Sequence, residues 1–415
     1  MSMGRKVELL APAGSFECLQ AAINAGADAV YFGVEQLNMR AKSVRSFVLA
    51  DLEQISFLCK THGLKCYITL NTVMYNHDIK LLQLILQAVK KHEIDAVIAS
   101  DFAVINQCKL LNIPLHISTQ ANVSNIEAAA FFADSADLIV LARELTLSQV
   151  SDICKEIGRR QLKGLSGKPL KIEIFVHGAL CMAVSGKCYL SLHAQNASAN
   201  RGACTQECRH PYKVTDLETG RELVVDNEYI MSPKDLCTIN ILDQLVNSGA
   251  SVFKIEGRSK GPDYVYAVTK CYREALDAVE AGTYSLEKVE QWMTELSAVY
   301  NRGFWEGYYL GNQLGAWTSK PGSVATEKKV YLGRGTKYYP KINVAEFLIE
   351  TGSLKANDTL MITGAEIGAV KELVKTLTVN GVLAEKATKG DKITFKFPYK
   401  VSGKDRLYKL VANDG

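Results

Sequence analysis

Along the first two-thirds of the chain, short apolar runs alternate with longer stretches whose apolar residues recur every three or four positions. "VELLAPAG" is followed by "SFECLQAAINAGA", in which Phe16, Leu19, Ala22 and Ile23 fall on one helical face. The same succession brings "AVYFG", "KCYITLN", "AVIAS", "LHISTQ", "LIVLAR", "KIEIFVHG" and "VFKIEGR", which makes eight strand candidates. Several are approached alike, through "NAGADAVYFG", "KHEIDAVIAS", "ADSADLIVLA" and "NSGASVFKIE": a helix ends on a small or acidic turn and a β-branched run begins. Helices lying between strands require a parallel sheet. Eight such units within about 280 residues predict an α/β fold, a TIM-type (β/α)8 barrel. An open doubly wound sheet is the alternative, weakened because the first turn, "APAGS", has no G-x-G-x-x-G phosphate loop.

Two features break the pattern. Roughly 70 residues separate "KIEIFVHG" from "VFKIEGR", far more than an ordinary strand-to-helix link. After Tyr264 a long helical stretch continues through "SLEKVEQWMTELSAVYNRGFWEGYYLG". From about Lys328 the period changes to alternation, and "LKANDTLMITG" and "ATKGDKITFKFPY" read as strands joined by Asn-Asp and Lys-Gly-Asp turns. The predicted organisation is a barrel over 1–285 with a cysteine-rich insertion at about 178–250, a helical segment and linker over 286–327 including "PGSVATEKK", and a small all-β barrel domain over 328–415.

Composition narrows the class. Of 415 residues, 47% are hydrophobic and 22% charged, as in ordinary globular chains. The start, "MSMGRKVELLAPAG", has no apolar leader, and no apolar run approaches the ~18 residues of a membrane span, so a soluble cytoplasmic protein is expected. The 11 cysteines, odd in number and spread over a long chain, argue against a secreted disulfide framework and for a reducing compartment. There, clustered cysteines mean metal or catalysis, whereas the isolated Cys18, Cys59, Cys66, Cys108, Cys154 and Cys271 read as buried small hydrophobes. Charge is uneven: Lys328–Gly415 holds 16 Lys+Arg against 9 Asp+Glu, a net +7, which leaves −3 on the preceding residues. A basic module on a near-neutral body implies either an anionic partner or a solvated lysine-rich surface.

In a TIM barrel the chemistry sits at the C-terminal strand ends. Those ends carry Asn71, Ser100, Asp101, Thr119, Gln120, Arg143, Glu144, His177, Glu256 and Arg258. Ser15 and Asp101 suit helix N-caps. Gln120, Arg143, Glu144, Glu256 and Arg258 are too long to cap and point to a pocket. His177, Glu144 and Glu256 are the candidate acid–base groups, although a lone histidine can equally be structural. A nucleophilic dyad of Cys181 with His177 is conceivable; no H-E-x-x-H or G-x-S-x-G motif is present. The stronger signal is Cys181, Cys188, Cys204 and Cys237, with Cys208 as a fifth candidate, all inside the insertion or beside it. Thiolates suit zinc or an iron–sulfur cluster. Only Cys204 and Cys208 have knuckle-like spacing, so a cluster is favoured, with zinc or unligated packed cysteines as alternatives.

"EIFVHGALCMAVSGKCYLS", from Glu173 to Ser191, meets every fixed position of E-x-F-x-x-G-[SA]-[LIVM]-C-x-x-x-x-G-x-C-x-[LIVM]-S, and so resembles the signature of peptidase family U32, the collagenase-like family. "LLAPAGS", "NRGACTQECRHPY", "SPKDLC" and "KIEGR" are similar to other segments of that family. The resemblance implies RNA hydroxylation as readily as proteolysis. One branch of the family converts the wobble uridine of tRNA to 5-hydroxyuridine with prephenate. Others hydroxylate a ribosomal cytidine or take part in oxygen-independent ubiquinone hydroxylation, the last with a [4Fe–4S] cluster on four cysteines. The compact length and single C-terminal domain look closest to the tRNA branch. Carried over, the implied ligands are Cys181, Cys188, Cys204 and Cys237, with Cys208 as the alternative to the last. The implied partners are tRNA and the dicarboxylate prephenate, with Gln120, Arg143, Arg201 and Arg258 as substrate-binding candidates. Tyr338, Tyr339 and Tyr399 could stack on bases, and Gly178 and Gly186 are expected to let the cysteine loop bend. A collagenase-like peptidase and a zinc-stabilised RNA-binding scaffold or hydroxylase partner subunit are the rival readings.

Overall fold

In the computed structural model, which describes residues 7–41, 47–184, 186–213, 215–221, 231–311 and 315–413, all eight apolar runs become barrel strands. Residues 1–6, read above for a leader, lie outside the described residues. The strands are β1 (Glu8–Pro12), β2 (Ala29–Phe32), β3 (Lys65–Thr69), β4 (Ala96–Ala99), β5 (Leu115–Ile117), β6 (Leu138–Val140), β7 (Lys171–Gly178) and, beyond an extra strand β8 (Asp235–Cys237), β9 (Val252–Ile255). Neighbours pair in parallel from β1 to β7, and β9 closes the ring by pairing with both β7 and β1. Buried on both faces, these strands need largely apolar sequence, which is why "AVYF" and "AVIA" show no alternation.

Helices α1 (Phe16–Asn24), α2 (Leu52–Thr61), α3 (Ile79–Lys91), α4 (Phe102–Leu111), α5 (Ile126–Ala133) and α6 (Leu147–Arg159) link successive strands. A short α7 (Leu190–Gln195) lies in the insertion, α8 (Leu242–Asn247) leads into β9, and α9 (Pro262–Glu280) and α10 (Leu286–Ala298) follow it. Ser15 caps α1, its Oγ accepting from the Cys18 amide, and Asp101 caps α4 by accepting from the Ala103 amide. Cys18, Cys59, Cys66, Cys108 and Cys271 are buried as expected of isolated cysteines, and Cys154 is half-buried. Among the described residues, no helix is long and apolar enough to cross a membrane.

The insertion leaves β7 at Gly178 and returns to the same place. β8 runs antiparallel to the end of β7, with His177 opposite Cys237 and Gly178 opposite Leu236. Gly178 has φ +105°, and a Cβ there would lie 2.4 Å from the carbonyl oxygen of Glu256. The chain can therefore turn out of the barrel only with glycine at this point.

The C-terminal module is an eight-stranded antiparallel sheet. Its order runs from Gly368–Leu373 through Thr359–Gly364, Arg406–Ala412, Glu327–Tyr339, Val344–Ile349, Lys392–Lys396 and Leu377–Val379 to Val382–Ala384. With a two-stranded sheet of Ser353–Lys355 and Lys386–Thr388 it surrounds one core of Phe347, Leu354, Ile362, Ala387, Ile393 and Phe397, which makes the C-terminal region all-β as expected. It rests against the outer barrel helices. Asn24 Nδ2 donates to the Ile367 carbonyl at 2.9 Å, and Lys329 pairs with Asp263.

Candidate active site at the barrel mouth

The strand ends and the insertion enclose a cavity of about 140 Å³. Arg40, Arg143, Arg209, Lys254, Arg258, Lys260 and Arg302 line it, against one carboxylate among the described residues, Glu256. Two of the cations are neutralised from outside the cavity. Lys254 Nζ lies 2.7 Å from buried Glu173, and Arg302 lies 2.9 Å from Asp235. Arg40 pairs with Glu256 at 2.9 Å. Arg143, Arg209, Arg258 and Lys260 form no ion pair with a described carboxylate, so the cavity carries a positive excess in a site of low dielectric.

Each cation is held by its surroundings. Arg258 donates from Nη1 to Thr69 Oγ1 at 2.6 Å and Asn38 Oδ1 at 3.2 Å. Arg143 donates to the Ala179 carbonyl at 2.7 Å, and its guanidinium lies 3.6 Å from the centre of the Phe175 ring. The Nε–H groups of both arginines are buried without an acceptor among the described residues. Burial alone would raise the Glu256 carboxyl, but Arg40, Arg143 and Arg258 together hold it at about 2, and Tyr31 donates to its other oxygen at 3.1 Å. Lys260 sits over the Tyr300 ring, and burial, helped by Arg302, brings its ammonium down to about 8. It is the cavity group able to exchange a proton near neutral pH.

The thiols form one rim of this cavity. Cys181, Cys204 and Cys208 line it directly. Burial pushes the Cys208 thiol up, Arg209 pulls it down, and the charges of Cys181, Cys204 and Cys188 push it up again, so these four lie within electrostatic reach of one another. The loop is pinned by Cys188 N donating to Asn200 Oδ1 at 3.0 Å and by Thr205 N donating to Ser191 Oγ at 3.0 Å. Arg209 ties it to the outgoing and returning ends of the insertion through the carbonyls of Leu180, at 2.5 Å, and Pro233, at 3.0 Å. Gly186, at φ +73°, packs so closely on Gln120 that a Cβ would lie 2.3 Å from Cγ. Among the described residues, no three His, Cys, Asp or Glu side chains are already drawn together tightly enough to grip a metal ion. The donor set nevertheless suits a soft metal group: Cys181, Cys204 and Cys208 line the cavity, and Cys188 lies on the same loop within their electrostatic reach.

Cys237 is not part of that rim. It is buried against Met293 Sδ and the Tyr272 hydroxyl, and burial pushes its thiol up to about 12. His177 is likewise turned away from the cavity. Its ring packs among Tyr264, Tyr272 and Phe304, with Nδ1 3.4 Å from the Tyr272 hydroxyl, and burial holds it down to about 3. Glu144 is exposed and lines a shallower neighbouring pocket. Arg201 is committed to Asp78 and the Val73 carbonyl and lies over the Tyr75 ring, where it clamps the insertion to the loop after β3. Gln120, Arg143, Glu256 and Arg258 do converge on the cavity. The sequence reading missed Arg40, Arg209, Lys254, Lys260 and Arg302. Lys260 follows Arg258 by two positions and Lys254 lies inside the eighth strand, which were available signals; Arg40, in an irregular loop, had none.

A model of peptidase family U32 matches residues 14–319. A Porphyromonas gingivalis protein named "Collagenase" is 50% identical over 403 residues, 97% of each chain. "tRNA hydroxylation protein P1" of Bacillus subtilis is 32% identical over 314 residues, 74% of this chain and 72% of its own. "23S rRNA 5-hydroxycytidine C2501 synthase" of Escherichia coli is 36% identical over 292 residues, 70% of this chain and 42% of its own.

Proposed function

Because this chain belongs to peptidase family U32, with relatives named for tRNA hydroxylation and for a ribosomal 5-hydroxycytidine, we propose that it is an RNA hydroxylase. Its proposed reaction is the conversion of the wobble uridine of tRNA to 5-hydroxyuridine, with prephenate as cosubstrate. The observation that carries this reading is the cationic cavity with a thiol rim. A buried guanidinium without a counter-charge is costly. A dicarboxylate in the cavity would supply the counter-charge that Arg143 and Arg258 lack among the described carboxylates. Glu256, ionised throughout the working range, keeps Arg40 in place rather than donating a proton, and Lys260 can give or take one.

Cys181, Cys188, Cys204 and Cys208 would hold an iron–sulfur cluster, of the [4Fe–4S] type. When bound, it would supply the redox chemistry that hydroxylation of an unactivated pyrimidine C5 demands and side chains lack. The basic C-terminal sheet suits contact with RNA phosphates. The deciding experiment is mass spectrometry of tRNA nucleosides from a strain lacking this gene and its paralogues. Loss of 5-hydroxyuridine and its derivatives, restored by the wild-type gene but not by Arg258→Ala, is expected; an unchanged nucleoside profile overturns the reading.

The relative named "Collagenase" supports proteolysis as a second reading. Cys181 is exposed enough to be a nucleophile, but His177, enclosed by three aromatic rings, is not placed to activate it. Peptide cleavage by the purified protein that Cys181→Ala abolishes would favour this reading.

A further inference from the structure

The cavity does not end at the thiol rim. Asn71, Gln120 and Gly186 form a wall whose other side faces an open groove of about 590 Å³. The two compartments differ in chemistry. The inner one is cationic, whereas the outer one is lined by Val73, Phe102, Phe132 and Tyr189, with Lys187 and Asn200 at its edge. Phe102 is 63% exposed and Tyr189 70% exposed. Two large rings left in solvent on one groove are unusual unless something covers them.

Both rings are set in place by backbone. Phe102 opens α4 directly behind its cap Asp101. The Asp101 carboxylate, the one acidic group among the groove's described residues, accepts from the amides of Ala103 at 2.8 Å and Met74 at 2.9 Å, so it is committed to the fold. Tyr189 precedes α7 and its carbonyl accepts from the His193 amide at 2.8 Å. On the dividing wall, Gln120 Oε1 accepts from Ser118 Oγ and, at 3.1 Å, from Asn71 Nδ2, which leaves the Gln120 amide NH2 as a donor. The groove thus offers flat apolar faces, an amide edge and a nearby cation, and no uncommitted negative charge among the described residues.

We infer that this groove holds an unpaired pyrimidine of an RNA loop, stacked on Tyr189 and Phe102, with its edge toward Gln120 and a flanking phosphate near Lys187. The inference rests on the RNA-hydroxylase reading and adds where the base lies. An uncharged planar ring with hydrogen-bonding edges fits the lining, and base–aromatic stacking is the usual means of gripping a splayed base. Continuity through the Asn71–Gln120 wall sets such a base next to the inner cavity, and the thiols border that same cavity.

The test uses the full chain and a fluorescein-labelled RNA hairpin with a seven-nucleotide pyrimidine-containing loop, read by fluorescence anisotropy at fixed salt. Tyr189→Ala and Phe102→Ala should each weaken binding about 5- to 150-fold, the range expected for loss of one stacking ring. Tyr189→Phe, which keeps the ring, should stay within about twofold of wild type. A fully paired duplex should bind all variants alike, and matching thermal melts confirm that these exposed substitutions leave the fold intact. Tight hairpin binding by wild type with no loss in the alanine variants overturns the groove assignment and leaves the hydroxylase reading standing. No hairpin binding by wild type overturns both. Loss of peptide cleavage in the alanine variants, with RNA binding intact, assigns the groove to a peptide instead and overturns the inference.

Discussion

Nη2 of Arg40, in the loop after β2, lies 2.9 Å from Oε1 of Glu256, at the tip of β9. The contact spans β1, which lies between those two strands, and joins an irregular loop to the seam where the barrel closes. Arg40→Ala should lower unfolding free energy by about 2 kcal/mol, the range for hydrogen bonds to charged groups. The Glu256 carboxyl is held down to about 2, so its contribution is present above its ordinary value and lost as pH falls toward 2. Urea denaturation between pH 7 and pH 3 should show a shallower acid loss in Arg40→Ala than in wild type. Identical slopes would mean that Arg143 and Arg258 alone set the carboxylate.

Lys260 gives the cavity a pH limit. Burial brings its ammonium down to about 8, so the cavity loses one positive charge as pH rises through that value. Affinity for a dicarboxylate, measured by calorimetry, should fall by about 5- to 10-fold between pH 7 and pH 9, the effect of losing one charge-assisted hydrogen bond. Lys260→Met should be weak at every pH and lack this limb. Retention of the limb in that variant would place the titration elsewhere.

Two buried histidines should make the barrel acid-sensitive. Burial holds both His116 and His177 down to about 3, whereas in the unfolded chain they take up protons near 6.5. Between those values the unfolded chain binds more protons, so stability falls as pH drops from 6.5 toward 3. His177→Phe, which keeps the ring beside Tyr272, should flatten part of that slope in chemical denaturation at pH 7 and pH 5. An unchanged slope would place the acid sensitivity elsewhere, and loss of turnover in a variant with matching thermal melts would give the histidine a part in the reaction.

The two candidates for the fourth thiol make opposite predictions. After anaerobic purification, Cys181→Ser, Cys188→Ser, Cys204→Ser and Cys208→Ser should each lose most of the iron and acid-labile sulfide. Cys237→Ser should keep both, because that thiol faces Tyr272 and Met293. The reverse result for Cys208 and Cys237 would require the insertion to refold around the cofactor. Zinc in place of iron in the wild-type protein would exclude the cluster.

The barrel was legible because each of its strands is a short, mostly apolar run set between turns and helices, and a parallel sheet leaves few other ways to bury such runs. The cysteine set was only half legible. Spacing places Cys208 and Cys237 equally well inside the insertion, but it cannot say that Cys237 returns on a strand paired to β7 and so points into the helices. Glu144 and Arg201 illustrate the same limit: each sits beside a strand end or in the cysteine loop, yet one faces solvent and the other is consumed by Asp78. Arg40 reached the cavity from a loop with no periodic pattern, where only tertiary structure decides direction.

The insertion starts and finishes on the same strand end, with Gly178 facing Leu236. Pairing β7 with β9 therefore also closes a loop of roughly 70 residues, at an entropic cost that grows only slowly with loop length. Lengthening or trimming the insertion between its two anchored ends should then cost the barrel little stability, which leaves the thiol loop free to vary while the scaffold stays the same.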